Sequence, residues 1–280
     1  MTDRLLIVNA DDYGLTPGVS RAILRAHRDG IVTSTSALAL APGFAPSAPA
    51  LRDTEGIGVG AHLAAVGEDP PLLSAREVPT LVDKRGCLAS SWRVFLPRVA
   101  AGRIDLEDVR REFTAQIDCL RDAGLVLDHV DTHQHVHLWP AVGTVVLEVA
   151  EKAGIGALRI IRSATWGPVG VTVRRLSARL ERRARATGLR FPATATGLDE
   201  AGTLERVRLL AALDRLGRGG GPSAELATHP GEAGDPDLDR YRWGYVWDRE
   251  LAALVDPAVR RRVAEAGFRL GTYAGLAEPA

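Results

Sequence analysis

Short apolar runs alternate with amphipathic helical segments along most of this chain of 280 residues. Residues 5–8 (Leu-Leu-Ile-Val) begin the series, and residues 16–29 follow with a Thr-Pro start that is typical of a helix N-terminus. The runs are too apolar for strands that expose one face to water, so they favour parallel strands covered by helices. The pattern predicts further strands at residues 34–40, 57–61, 126–132, 158–161, 224–227 and 268–272.

Helical segments separate these strands. Helices are predicted over residues 44–52, 106–123, 140–153, 171–187, 204–216, 249–254 and 257–266. About seven strand–helix units without a linker predict an α/β fold of the irregular, TIM-barrel-like (β/α) barrel type, with about seven parallel strands in a single domain over residues 1–280. Residues 64–104 interrupt the series with several prolines, and we expect them to form an irregular, lid-like insertion.

The overall composition excludes some classes of partner. The chain has 35 basic and 35 acidic residues, and this zero net charge gives no reason to expect a nucleic acid partner. No apolar stretch approaches the length of a membrane span, and no signal-peptide pattern is present, so we expect a cytoplasmic protein. The many arginines suggest a GC-rich genome, and the arginine-rich stretch at residues 174–190 is interpreted as a solvated helix.

Polar residues collect where four of the predicted strands end. The blocks are Asn-Ala-Asp-Asp-Tyr-Gly at 9–14, Gly-Ala-His-Leu at 60–63, Asp-Thr-His-Gln-His-Val-His at 131–137 and Thr-His-Pro-Gly at 228–231. The carboxyl ends of parallel strands meet at one rim, so we expect these carboxylates and imidazoles to lie together. Each block alone is also compatible with an ordinary turn or helix cap.

The residue types at this rim suit a metal-dependent hydrolase. Two imidazoles and a carboxylate are a common ligand set for a catalytic divalent ion, which activates water and polarises a carbonyl oxygen. A second carboxylate can accept the proton of the water, and a further histidine can protonate a leaving amine. Because Asp11 and Asp12 are adjacent on a strand end, their side chains should diverge and take two different roles.

The histidine-rich block leaves two geometries open. It holds three of the seven histidines of the chain, at positions 133, 135 and 137. On an extended segment all three would share a face and could point inward, whereas a helical segment would pair His133 with His137. Pro140 and the preceding strand favour the extended form. A surface cluster without a role is the alternative, and His27 and His129 are interpreted as structural or solvated.

Taken together, the four ordered blocks resemble the YdjC/ChbG family of carbohydrate deacetylases over nearly the whole chain. The resemblance implies that the protein removes the N-acetyl group from an acetylated amino sugar by attack of metal-bound water on the amide carbonyl. Carried over, Asp12, His62 and His133 would bind one divalent ion, zinc or magnesium foremost, with cobalt, nickel and manganese also acceptable. Asp11 would be the general base and His229 the acid. Residues 67–73 look more like the hopanoid-associated branch.

Several other residues are assigned to substrate binding or to supporting the ligands. Asp131 would orient a ligand imidazole, and Tyr13, His135 and His137 would lie around the metal or the substrate. Trp166, and Trp243 within the aromatic segment 241–247, offer flat faces for a sugar ring, although such rings could equally cover helices or form a subunit contact. We expect a small-molecule N-acetylated sugar as the partner, and the family resemblance also suggests a homodimer.

Two other functions remain open from the sequence. A metal phosphoesterase could use a similar rim. However, a two-metal phosphoesterase needs more ligands than one carboxylate pair provides, and no cationic loop stands out that could bind a phosphate. A non-catalytic sugar-binding barrel could retain the rim, but it should lack the general base, and both Asp11 and Asp12 are present.

Overall fold

The computed structural model describes residues 4–277 and has a sheet of seven strands at its centre. All the strand pairs are parallel. The strands are β1 (Arg4–Tyr13), β2 (Ser34–Ala37), β3 (Gly58–Leu63), β4 (His129–Thr132), β5 (Thr194–Thr196), β6 (Ser223–Thr228) and β7 (Phe268–Leu270). The order is β4-β3-β2-β1-β6-β5, and β7 pairs with the first residues of β1.

Isolated bridges continue the sheet from β4 towards β5. Val130 of β4 pairs with Leu158, and Ala157 pairs with Arg190, a few residues before β5 begins. The sheet therefore curls towards a closed ring. The predicted irregular (β/α) barrel with about seven parallel strands is confirmed.

Nine helices flank the strands of the described chain. They are α1 (Pro17–Asp29), α2 (Phe44–Arg52), α3 (Trp92–Ala100), α4 (Leu106–Asp122), α5 (Pro140–Lys152), α6 (Pro168–Ala186), α7 (Arg206–Arg218), α8 (Trp247–Leu254) and α9 (Pro257–Glu265). The start of helix α1 is fixed by its local sequence. The Thr16 hydroxyl accepts a hydrogen bond from the Val19 amide, and Pro17 occupies the first turn, where its missing N–H costs nothing.

Five of the seven strands are buried on both faces, and β5 and β7 are partly exposed. Every residue of β1 after Arg4 is buried, and so is every residue of β2, β3, β4 and β6. Burial on both faces explains the wholly apolar runs that predicted a parallel sheet. Among residues 4–277, no helix combines the length and the apolar character needed to cross a bilayer.

Some predicted elements differ from the observed ones. Residues 64–104, expected to be irregular, contain α3. Residues 158–161 make bridges without forming a strand of their own, whereas the short strand β5 had no counterpart in the sequence prediction. The expectation that residues 133–137 are extended is wrong, because residues His133–Leu138 form a 3-10 turn in which Gln134 and His135 have left-handed backbone angles.

Candidate metal centre

A backbone irregularity at the end of β1 brings two adjacent carboxylates into one cleft. In a regular strand, neighbouring side chains point to opposite faces. Here the pairing register with β2 shifts between Ala10 and Tyr13, and Asp12 has φ 67°, a left-handed conformation that is uncommon outside glycine. Asp11 and Asp12 therefore both line the cleft, where Asp11 pairs with Arg159 and Asp12 faces His133.

Asp12, His62 and His133 bring three potential ligand atoms close together. Asp12 Oδ1 lies 3.3 Å from His62 Nε2 and 3.2 Å from His133 Nδ1, and the two nitrogens are 3.3 Å apart. Donors that surround one ion at about 2.0–2.2 Å are themselves about 3.3 Å apart, so the triangle fits one divalent ion. Among the described residues, 4–277, Asp12 Oδ1 is buried and has no hydrogen-bond partner, as expected of an oxygen that serves as a metal ligand.

The second nitrogen of His62 is held by Asp131. His62 Nδ1 lies 2.8 Å from Asp131 Oδ1, and Asp131 Oδ2 accepts a 3.0 Å hydrogen bond from the Ser36 hydroxyl. Burial opposes a charge on His62, but the carboxylates of Asp131 and Asp12 outweigh this effect and raise its pKa to about 10. Asp131 fixes the ring orientation by accepting a hydrogen bond from Nδ1–H, and a divalent ion bound at Nε2 would displace the proton that the raised pKa otherwise keeps on that nitrogen.

A buried arginine that the sequence analysis missed connects three carboxylates beneath the triangle. Arg159 is fully buried. Its nitrogens donate to Asp11 at 2.6 and 2.7 Å, contact Asp131 Oδ2 at 2.5 Å and donate to Glu225 Oε1 at 2.6 Å. Burial opposes ionisation of Asp11, but the guanidinium outweighs it and lowers the pKa of that carboxyl. Asp11 is therefore ionised at neutral pH.

His229 lines the same cleft and lies on the segment that follows β6. Its Nε2 is 3.8 Å from Asp11 Oδ2, and its ring packs edge-on against Tyr245. The backbone N–H of His229 donates to buried Glu250 at 2.7 Å, which fixes the turn that carries the ring. Its Nδ1 is buried and has no partner among the described residues. Asp11 and His229, the two candidates for proton transfer, therefore lie close together in the same cleft.

The turn at residues 133–138 separates the three histidines that an extended segment would have aligned. Only His133 reaches the triangle. The ring of His137 is fully buried between the Thr132 hydroxyl at 2.6 Å and the Arg159 carbonyl at 3.2 Å, where it holds the turn. His135 lines the cleft, and burial together with Arg159 lowers its pKa to about 3, which keeps its imidazole neutral.

The remaining predicted residues fall into different surroundings. Trp243 lines the cleft, with its ring 5.3 Å from that of His133. Tyr13 is fully buried and donates its hydroxyl to the Ser47 carbonyl at 2.7 Å, outside the cleft lining. Trp166 is 88% exposed and also lies outside the lining. His129, read as structural, is buried between Asp128 and Tyr273.

The cleft above the triangle has a volume of about 1030 Å³. One side is built from two segments that are distant in sequence. Trp243 Nε1 donates to Glu68 at 2.9 Å, and Asp69 accepts from Arg240 at 2.6 Å and from the Tyr241 hydroxyl at 3.0 Å. These bonds join the start of the 64–104 segment to the aromatic segment beside His133.

Comparison with known proteins agrees with this architecture. A carbohydrate deacetylase from Geobacillus stearothermophilus is 31% identical over 271 residues, covering 96% of this chain and 97% of that protein. A chitooligosaccharide deacetylase from Proteus mirabilis (strain HI4320) is 30% identical over 279 residues, covering 97% and 98%. The solved structure of a putative cellobiose-phosphate cleavage protein from Enterococcus faecalis V583 matches with a TM-score of 0.80 at 28% identity, covering 97% of this chain and 98% of that one.

The family model described as YdjC-like protein matches residues 5–265, which include all four polar blocks and every residue of the triangle. This chain belongs to the YdjC-like family.

Proposed function

We propose that this protein is a metal-dependent hydrolase that removes the N-acetyl group from an acetylated amino sugar. The observation that carries the proposal is the triangle of Asp12, His62 and His133, whose spacing fits one divalent ion at the floor of an open cleft. The names of the relatives from Geobacillus stearothermophilus and Proteus mirabilis, both deacetylases, support the reaction and the class of substrate.

The donor set determines what the centre could do. When bound by these three residues, a divalent ion supplies Lewis-acid chemistry: it polarises an acyl oxygen and lowers the pKa of water. One oxygen and two nitrogens suit zinc, and magnesium, cobalt, nickel and manganese are further candidates.

Asp11 and His229 are proposed to move the protons. Asp11 is ionised and fixed by two bonds from Arg159, so it can accept a proton from water without reorganising. His229 lines the cleft with its Nε2 3.8 Å from Asp11 Oδ2, and it is proposed to deliver a proton to the departing amine. Trp243 and Tyr245 beside the triangle would cover one face of the sugar ring.

The structure gives less support to the two alternative functions, a phosphoesterase and a non-catalytic sugar-binding barrel. A phosphate would need a cation beside the triangle, but the Arg159 guanidinium is already engaged by Asp11, Asp131 and Glu225, and the other arginine that lines the cleft, Arg93, lies on α3 over the Trp92 ring. A non-catalytic sugar-binding barrel has no use for an ionised carboxylate held beside the ligand triangle.

The test is release of acetate from N-acetylglucosamine and its β-1,4-linked oligomers by protein loaded in turn with each candidate metal. We expect release that a chelator abolishes and that the same metal restores. His133→Ala should lose both bound metal and activity, while His27→Ala, a change on α1, should keep both. Acetate release unaffected by the chelator, or by His133→Ala, would overturn the proposal.

A further inference from the structure

Five buried polar side chains form a closed loop of hydrogen bonds next to the metal triangle. Asn9 Nδ2 donates to Asp11 Oδ1 at 2.8 Å and to the Ser36 hydroxyl at 2.9 Å. Ser36 donates to Asp131 Oδ2 at 3.0 Å, and Arg159 closes the loop because it binds both Asp131 and Asp11. The loop therefore has two sides that join the same two carboxylates, the Arg159 guanidinium on one side and the Asn9–Ser36 bridge on the other.

The two oxygens of Asp11 differ in the number of bonds they accept. Oδ1 accepts from Asn9 at 2.8 Å and from Arg159 at 2.7 Å, whereas Oδ2 accepts only from Arg159, at 2.6 Å, among the described residues. Oδ2 is also the oxygen that lies 3.8 Å from His229 Nε2. A carboxylate oxygen has two lone pairs, so Oδ1 is saturated and Oδ2 retains one for a proton.

The Asn9–Ser36 bridge also reaches a proposed metal ligand. Asp131 accepts from Ser36 on Oδ2 and faces His62 Nδ1 at 2.8 Å with Oδ1. Ser36 has one hydroxyl proton, which goes to Asp131 because a carboxylate can only accept. The hydroxyl oxygen then accepts from Asn9 and lies 3.1 Å from His129 Nε2. The contacts thus run without a gap from the proposed proton acceptor to His62.

Stability alone does not account for an amide at position 9. Asn9 is fully buried, and its Oδ1 has no hydrogen-bond partner among the described residues. A buried oxygen without a partner costs free energy, and an apolar side chain would avoid that cost. The distinguishing contribution of Asn9 is therefore its pair of donated bonds, to Asp11 and to Ser36.

From these contacts, and resting on the proposed deacetylase function, we infer that Asn9 and Ser36 are positioning residues for the reaction. Asn9 occupies Oδ1 of Asp11, so that Oδ2 is the oxygen that accepts the proton. Ser36 holds Asp131 and, through it, the imidazole of His62. Because Asn9 and Ser36 also bind each other, the proton acceptor and the metal ligand are fixed relative to one another.

The experiment compares Asn9→Leu, Ser36→Ala and the double variant, each loaded with zinc, in acetate release from N-acetylglucosamine oligomers. Asn9→Leu roughly keeps the side-chain volume and removes the donor, and we expect it to lower kcat roughly 10–100-fold with little change in KM. Ser36→Ala should lower kcat about 10-fold, and this smaller change is informative even if Asn9→Leu does not fold. The double variant should lose little more than Asn9→Leu alone, because both changes break one bridge. Losses that multiply would overturn the shared bridge.

Gln116→Met is the matched control. Gln116 is also buried, and its Nε2 donates to the carboxylate of Glu112 at 2.8 Å, but neither residue lines the cleft. We expect this variant to unfold at lower urea concentration, as the bridge variants do, and to keep its kcat. If Asn9→Leu is destabilised like Gln116→Met and also keeps its kcat, Asn9 is only structural and the inference is refuted.

Visible absorption of the cobalt-loaded protein provides a measurement that needs no turnover. Ser36→Ala should shift the cobalt bands, because Asp131 loses a donor and orients His62 less firmly, whereas Gln116→Met should leave them unchanged. If the wild type releases acetate and the bridge variants match its kcat, the positioning role is refuted and the deacetylase function stands. If the wild type releases no acetate but Ser36→Ala shifts the bands, the bridge to the metal site stands and the reaction is wrong. No release and no shift refute both.

Discussion

Replacing Asp131 with asparagine should weaken metal binding without removing any ligand atom. Asp131 is fully buried and accepts on both oxygens: Oδ1 faces His62 Nδ1 at 2.8 Å, and Oδ2 faces Arg159 at 2.5 Å and Ser36 at 3.0 Å. An asparagine has only one acceptor oxygen, so it can satisfy only one of these two sides.

Either orientation of the new amide has a cost. If the amide oxygen stays with Arg159, the NH₂ group faces His62 Nδ1 and forces the ring proton onto Nε2, the nitrogen that faces Asp12. If the oxygen turns to His62, the NH₂ group opposes the Arg159 N–H. Loss of such a carboxylate partner typically costs about 10–100-fold in metal affinity, or about 1.4–2.8 kcal/mol.

Isothermal titration of Asp131→Asn with zinc should therefore give a Kd about 10–100-fold above that of the wild type. Asp128→Asn is the matched control, because Asp128 also pairs with an imidazole, His129 Nδ1 at 2.6 Å, but one outside the triangle. A Kd for Asp131→Asn within threefold of wild type, or an equal loss in Asp128→Asn, would refute the role assigned to Asp131.

Three further changes test other parts of the site. Asp11→Asn should retain the metal, verified by elemental analysis, and lose on the order of 10²-fold or more in turnover, so full activity would exclude it as the proton acceptor. His137→Ala should keep metal affinity but lower the free energy of unfolding, measured in urea, by about 1–3 kcal/mol, because its two buried hydrogen bonds are lost. Weakened metal binding in this variant would instead show that His137 contributes to the metal site. Gly60→Ala should destabilise by about 1–3 kcal/mol in the same assay, since a Cβ would lie 2.2 Å from the buried His129 ring, and an unchanged midpoint would contradict that packing.

Local patterns in the sequence predicted the barrel and the gathering of four polar blocks at one rim, whereas the choice of Asp12, His62 and His133 among those blocks came from the family resemblance. Apolar runs indicate strands that are buried on both faces of a parallel sheet, and polar residues directly after such runs indicate the carboxyl-end rim of that sheet. Asp12, His62 and His133 each follow a predicted strand, so the parallel topology brings their segments to the same edge, and the backbone irregularity at Asp12 and the turn after His133 complete the arrangement.

The features that the sequence did not predict depend mainly on contacts between distant segments. Arg159 was not identified from the sequence, although its place between Leu158 and Ile160 in an apolar run was a usable signal, since a lone charge there must be paired. The left-handed angles at Gln134 and His135 could not be expected, because no glycine marks them. Helix α3 lies in a segment whose prolines suggested irregular structure.

The Arg159 network also bears on the order in which the protein folds. The guanidinium binds Asp11, 148 residues earlier in the chain, and Glu225, 66 residues later, on strands β1 and β6. Contacts of such long sequence separation form slowly, because the intervening chain must first lose entropy. The three proposed metal ligands all lie within the first half of the chain and can approach one another as soon as the four strands β1 to β4 have paired. Asp11 receives its counter-charge only after residue 159 docks, and Arg159 receives its third carboxylate only with β6. A nascent chain would therefore gain the capacity to hold the ion before it gains a fixed and ionised proton acceptor.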